Sequence, residues 1–261
     1  MKRSFGTLPS GEQASLYTIS CGKLTASVTD FGATLVSLLV PDCQGNIADV
    51  VLGCDDAAGY IRSTSYLGCT VGRNANRIGG ASFPLNGKTV RIPANEGNNN
   101  LHSGPDCYHL RLWEVVEHTA SSISFRLFSP DGDQGYPGNA TITVTYSISA
   151  DNALCITYDG ICDKDTVFNL TNHSYFNLAG HDKTDAAMDQ ILKRFAQKSQ
   201  GYDNSTVFLA HGDCPEDAQV LAARLKEEYG VQEVVTGYVG PVIGAHTGPG
   251  VLVIFFLGNE R

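Results

Sequence analysis

Thr141-Ile-Thr-Val-Thr-Tyr-Ser-Ile148 alternates polar and apolar residues without a break, which is the period of a strand with one face buried and the other in water. Ser122-Ile-Ser-Phe-Arg-Leu-Phe128 does the same. Ser15-Leu-Tyr-Thr-Ile-Ser20 and Lys23-Leu-Thr-Ala-Ser-Val-Thr29 are short and rich in β-branched and aromatic residues. Turn signals separate these runs: Asp42-Cys-Gln-Gly-Asn46, Asn86-Gly-Lys88, Asp131-Gly-Asp133 and Ala150-Asp-Asn152. Strands and turns recur every ten or so residues with no long helical period, so residues 1 to about 180 read as an antiparallel β-sandwich or barrel.

The texture changes after about residue 183. Asp185 to Gln200 has helical spacing, with Met188, Ile191, Leu192 and Phe195 on one face. Thr206-Val-Phe-Leu-Ala210 is a continuous apolar run, which predicts a strand buried on both faces. A second helix follows, with Asp213 as N-cap, Pro215 in its first turn, and Ala218, Leu221, Ala222, Leu225 and Tyr229 repeating before Gly230 stops it. Val231 to Tyr238 reads as another strand, completing a β-α-β unit. The switch predicts a boundary between Gly180 and Asp185, with domains at 1–182 and 183–261.

Composition limits what the chain does. With 261 residues, 42% of them hydrophobic, there is enough apolar material for a real core. The formal net charge of −9 disfavours a nucleic-acid partner, because an acidic surface repels phosphates. The eight cysteines include no C-x-x-C spacing and do not cluster with histidines, so no metal site is expected and the thiols read as buried and reduced. No apolar stretch follows the basic Met1-Lys2-Arg3, and the longest apolar run, Val251 to Leu257, is far short of the ~20 residues that span a bilayer. The expectation is a cytoplasmic protein without a membrane partner.

Four stretches carry chemistry. They are Gly72-Arg-Asn-Ala-Asn-Arg-Ile78, then Asn98-Asn-Asn-Leu-His-Ser-Gly104 with Trp113 after it, Gly135-Tyr-Pro-Gly-Asn139, and Asn169-Leu-Thr-Asn-His-Ser-Tyr-Phe-Asn-Leu178. On bare physics, a histidine on an apolar strand is a core residue, Trp113 is core packing, and Arg77 is a surface ion-pair partner. Together, and in this order, the four stretches resemble the aldose 1-epimerases (galactose mutarotases). Asp163-Lys-Asp-Thr166 and Asp30-Phe-Gly-Ala-Thr34 fit the same family, and the likeness runs from about residue 5 to 181.

The resemblance implies a mainly β fold, an antiparallel sandwich of the galactose mutarotase type that stops short of the family's C-terminal part. A small α/β segment follows it. The implied reaction interconverts the α and β anomers of a hexose such as galactose or glucose by acid–base ring opening. The resemblance assigns the acid to His173 and a hydrogen bond to the ring oxygen or a neighbouring hydroxyl to His102. Asn76 and Arg77 bind sugar hydroxyls, and Tyr175 lies beside His173 on the same strand face. His109, His118 and His181 have no motif support and read as structural or surface residues. Proton transfer between side chains and sugar requires no cofactor.

The family's base, a glutamate near its C-terminus, has no matching motif here. The late glutamates Glu216, Glu227, Glu228, Glu233 and Glu260 all lie in other contexts, and the family's sugar-binding aspartate is likewise unmatched. Impaired activity is the expectation. The tail resembles a different family. Val207-Phe-Leu-Ala-His-Gly-Asp213, Val239-Gly-Pro-Val-Ile-Gly-Ala-His-Thr-Gly-Pro-Gly250 and Phe255-Phe-Leu-Gly258 are similar to the C-terminal end of DegV-family proteins, which bind a fatty acid. That resemblance places His246 near the lipid head group. The sequence thus leaves three readings open: a sugar epimerase, a fatty-acid-binding module, or an inactive fusion of two gene fragments.

Overall fold

The computed structural model describes residues 1–63, 65–178, 184–212, 214–239 and 251–258. The chain falls into two compact units, Met1–His181 and Asp182–Arg261.

The first unit opens with five strands: β1 Lys2–Thr7, β2 Gln13–Cys21, β3 Leu24–Thr29, β4 Thr34–Pro41 and β5 Ile47–Asp49. Each pairs antiparallel with the next. The short helix α1 Ala57–Arg62 is capped by Asp56, whose carboxylate accepts from the Gly59 N–H at 2.7 Å. Five short strands follow: β6 Thr70–Val71, β7 Arg77–Ile78, β8 Ser82–Leu85, β9 Lys88–Arg91 and β10 Asn100–Leu101. Asn86 and Gly87, at φ 51° and 72°, make the two-residue turn between β8 and β9, a conformation that Asn-Gly favours. A second antiparallel sheet holds β11 Glu114–His118, β12 Ser122–Ser129, β13 Ala140–Ile148 and β14 Leu154–Cys162. Finally β15 Thr171–Asn172 pairs with β6.

The alternation in β13 is expressed residue by residue. Ala140, Ile142, Val144, Tyr146 and Ile148 are buried, and the residues between them are partly exposed. With Ile123 and Phe125 of β12 they pack against Tyr17, Ile19, Ala26, Val28 and Leu35 of the first sheet. The Tyr17 and Phe125 rings meet edge to face at 5.9 Å across this sandwich. Each large apolar side chain buried here contributes roughly 1.5–3 kcal/mol. Trp113 is 2% exposed and donates from Nε1 to the Tyr108 carbonyl at 3.1 Å, so it belongs to the core.

The second unit holds α2 Thr184–Lys198, β16 Thr206–His211, α3 Pro215–Tyr229, β17 Glu233–Tyr238 and β18 Leu252–Phe255. β16 is central, parallel to β17 and antiparallel to β18. Its core joins Met188, Leu192 and Phe195 of α2 to Val207 and Leu209 of β16 and Ala218, Leu221 and Leu225 of α3. One expectation is corrected: β16 is buried on one face only. Val207 and Leu209 point into the core, whereas Phe208 is 55% exposed. An apolar run shows that a strand can be buried, not how many of its faces are covered. Gly230 ends α3 at φ 71°, and Cys214 stands at the N-cap position. Asp213, expected there, lies outside the described residues, as do His181 and positions 180–183 of the expected boundary.

A second correction concerns the thiols. The eight cysteines form no disulfide with one another, but Cys43 and Cys155 are exposed rather than buried. Among the described residues no helix is long and apolar enough to cross a membrane.

Candidate active site

His173 is placed by backbone ladders. Its N–H donates to the Cys69 carbonyl at 2.9 Å, and its carbonyl accepts from the Gly68 N–H at 3.0 Å. Gly68 sits at φ 61°, and a side chain there would overlap the Leu35 carbonyl oxygen, so only glycine lets the two segments meet. Asn172 locks the turn from the other side. Its amide donates to the Gly68 carbonyl at 2.8 Å and to the Tyr146 hydroxyl at 3.1 Å, while its side-chain oxygen accepts from the Ser174 N–H at 3.0 Å. The strand that was to carry both His173 and Tyr175 ends at Asn172. The two rings still lie 5.2 Å apart, because the chain stays extended through the bridge between Val51 and Phe176.

His102 is placed by a reciprocal pair of bonds. Its N–H donates to the Asn76 carbonyl at 3.1 Å, and the Asn76 N–H donates to its Nδ1 at 3.0 Å. With Nδ1 accepting, the proton of the neutral ring is on Nε2. Asn76, His102 and Ser103 all lie at left-handed φ (64°, 54° and 72°), a conformation that non-glycine residues adopt only when their surroundings impose it. Ser103 imposes it here, accepting from the Asn74 N–H at 2.7 Å and donating to the Asn74 carbonyl at 3.0 Å.

These two anchors bring distant histidines together. The His102 and His173 rings meet edge to face, with centroids 5.4 Å apart. Tyr66, itself at φ 54°, packs on His102 at 4.7 Å, on His109 at 4.7 Å and on His173 at 5.7 Å. Neither Tyr66 nor His109 carries a signal in the sequence, and His109 joins the cluster rather than lying apart from it. His118 lies elsewhere, its ring against Tyr17 at 5.4 Å.

Burial lowers the pKa of all three imidazoles, and at His102 and His109 the positive fields of neighbouring groups add to it. His102 is pushed down to about 4, by burial first and then by the positive fields of His173, Arg77 and His109. His109 is also held at about 4, by burial and by His173. Burial lowers His173 as well. Tyr66 is raised to about 12, by burial first. Among the described residues the carboxylate whose field reaches His102 and Tyr66 is Glu96.

That carboxylate is already engaged. Arg77 donates to it from Nε and from Nη2, both at 2.6 Å, and from Nη1 to the Asn76 side-chain oxygen at 3.4 Å. The Arg77–Glu96 pair is about two-fifths exposed. The neighbouring Arg73 is different, at 1% exposure. It donates to the Pro137 carbonyl (2.8 Å), the Ser129 hydroxyl (2.7 Å) and the Thr166 hydroxyl (3.1 Å), tying the Gly135-Tyr-Pro-Gly stretch beneath the site. A separate cavity of about 550 Å³, lined by Leu8, Phe31, Ile61, Leu110 and Leu112, contains no histidine.

The expected residues Asn76, Arg77, His102, His173 and Tyr175 therefore surround one partly open surface. It offers imidazole N–H donors, a guanidinium and an amide, which are groups suited to a polyhydroxylated ligand. Among the described residues no group of three or more His, Cys, Asp or Glu is arranged to hold a metal ion. His246 lies outside the described residues. In the second unit, His211 is buried and packs against Tyr238 at 4.7 Å.

The sequence model of the family described as "Aldose 1-epimerase" matches residues 15–202. That of the family described as "Uncharacterised protein, DegV family" matches residues 167–259. Aldose 1-epimerase of Haemophilus influenzae is 41% identical over 178 residues, covering 68% of this chain and 52% of the relative. Galactose mutarotase of Rattus norvegicus is 38% identical over 182 residues, covering 69% and 53%. The solved structure of a GalM/aldose epimerase homologue from C. elegans superposes with a TM-score of 0.62 at 34% identity, over 77% of this chain and 56% of that one. Galactose 1-epimerase from Lactobacillus acidophilus superposes with a TM-score of 0.60 at 26% identity, over 68% and 53%. The chain spans about half the length of the curated relatives it matches.

Proposed function

The chain belongs to the aldose 1-epimerase family, and from that premise we propose that its first unit binds a hexose such as galactose or glucose over the His102–His173 cluster and interconverts its anomers. The observation that carries this reading is the meeting of those two rings, contributed by separate loops, beside Asn76 and Arg77.

In the proposed reaction His173, protonated, gives its proton to the ring oxygen as the bond from that oxygen to the anomeric carbon breaks. The anomeric hydroxyl loses its proton, and its electron pair forms the aldehyde carbonyl. Rotation about the adjacent carbon–carbon bond exposes the other face, and closure reverses both transfers. His102, with its proton on Nε2, donates a hydrogen bond to the ring oxygen or a neighbouring hydroxyl. Arg77 and Asn76 hold further hydroxyls, and Tyr175 flanks His173. The depressed pKa of His173 makes it a strong acid once protonated, but it is protonated less often than an ordinary histidine.

The base is the weak half. On the family resemblance the base glutamate has no counterpart among the late glutamates, and Glu96 has both oxygens on Arg77, which lowers its basicity. The anomeric proton then passes to solvent, at a cost of ~10²–10⁴-fold relative to a site with both groups. A titration with D-galactose tests the reading: the His102 and His173 ring resonances shift, and exchange cross-peaks between the two anomers appear. Unshifted rings in a folded chain would overturn it.

A second reading belongs to the C-terminal unit, favoured by the DegV match over residues 167–259. There a fatty-acid carboxylate would lie near His246. Displacement of a fluorescent fatty acid, weakened by His246→Ala, supports it, and no displacement removes it.

A further inference from the structure

Arg77 and Glu96 form a closer contact than a solvent-facing pair needs. Two guanidinium nitrogens meet two carboxylate oxygens at 2.6 Å each, although both side chains are about two-fifths exposed. Such a pair adds little to fold stability, about 0–1 kcal/mol. Its geometry matters more. The carboxylate takes up the Nε–Nη2 edge and the Asn76 side-chain oxygen accepts from Nη1 at 3.4 Å, so the remaining N–H groups of Nη1 and Nη2 are the part of the fork left for a ligand. Glu96 is itself held by its turn. The N–H groups of Asn95 and Glu96 both donate to the Asn99 carbonyl at 3.1 Å, and the Asn99 N–H donates back to Glu96 at 2.9 Å. Asn95 ties the same turn to β10 through Leu101, at 2.7 and 2.9 Å. β10 in turn pairs with β7, which carries Arg77. The clamp and the residue it clamps thus rest on one closed piece of backbone. The fields of both residues reach His102 with opposite sign, and the carboxylate offsets part of the larger effect of the guanidinium there.

We propose that Glu96 is a positioning residue of the sugar site: its carboxylate fixes the Arg77 guanidinium so that its remaining Nη1 and Nη2 N–H groups, beside Asn76, meet a hydroxyl of the bound hexose. The inference rests on the sugar-binding reading above. An unclamped arginine would lose side-chain entropy when the sugar binds, whereas a clamped one has already lost it on folding.

The test is a double-mutant cycle on the full chain, with D-galactose as the ligand and its Kd as the readout. Glu96→Gln raises the Kd about tenfold, the scale of one hydrogen bond to a charged group, with an unchanged melting temperature. Glu96→Asp, which keeps the charge, recovers part of the loss. In an Arg77→Ala background, Glu96→Gln has no further effect, because its action passes through Arg77. Equal weakening with and without Arg77 would overturn the proposal, and so would galactose binding by Glu96→Gln as tight as by the wild type. A wild-type chain that binds no galactose overturns the sugar-binding reading itself, and this inference with it.

Discussion

The imidazoles of His102 and His173 meet edge to face, with centroids 5.4 Å apart and planes at 86°. The contact joins the loop after β10 to the extended segment after β15, so each ring is held by a different piece of backbone. Asn76 fixes one, while Gly68 and Cys69 fix the other. Replacing either ring should therefore leave the fold intact and remove the chemistry. His173→Asn is expected to lower any anomer-exchange rate ~10²–10⁴-fold while changing galactose affinity only a few fold. A loss of affinity as large as the loss of rate would assign His173 to binding instead.

The neutral histidines make stability depend on pH. His102 and His109 are each held at about 4 against an ordinary 6.5. Between those values the unfolded chain binds protons that the folded chain does not, so stability falls as pH drops from 6.5 toward 4. For one such histidine the full loss is on the order of 3 kcal/mol. A His102→Asn, His109→Asn chain should show a flatter dependence of melting temperature on pH across that window than the wild type. Parallel curves would show that these rings are protonated in the folded state.

Arg73 tests the support beneath the site. Lysine keeps the charge but cannot reach the Pro137 carbonyl and the Ser129 and Thr166 hydroxyls together. Arg73→Lys should cost about 3 kcal/mol through acceptors left unpaired in the interior. Calorimetry would then show a fall in melting temperature of roughly 6–12 °C. A shift within a degree would mean that the cluster stands without it.

Strand β13 offers a comparison of its two faces. Ile142 is fully buried and Thr143 points outward. Ile142→Ala should destabilise by about 2–5 kcal/mol and Thr143→Ala by less than about 1. Urea melts of the two variants check this, and equal effects would contradict the assigned register.

Much of this was legible in the sequence. β13 was readable because a half-buried strand writes its two faces into alternate letters, and the β8–β9 turn because Asn-Gly suits two left-handed residues. His102 and His173 were found through motifs rather than through physics. Tyr66 and His109 were not found, because the left-handed turn that brings Tyr66 among three histidines leaves no periodic trace. Glu96 lies in a loop of Asn and Gly, where no periodic pattern marks its pairing with Arg77. The burial of Arg73 depends on carbonyls and hydroxyls more than fifty residues away in the chain, which no local pattern reveals. The apolar run Thr206–Ala210 predicts a buried Phe208, but an apolar letter does not reveal whether a sheet has a second cover, and Phe208 is exposed.

The central claim is that the His102–His173 cluster opens a hexose ring. Polarimetry of freshly dissolved α-D-galactose tests it most directly, comparing the folded chain, buffer alone and His173→Asn. The expected result is an exchange rate above buffer with the wild type that falls to the buffer rate with His173→Asn. A folded wild-type chain that leaves the rate at the buffer value, or a His173→Asn chain as fast as the wild type, would contradict the claim.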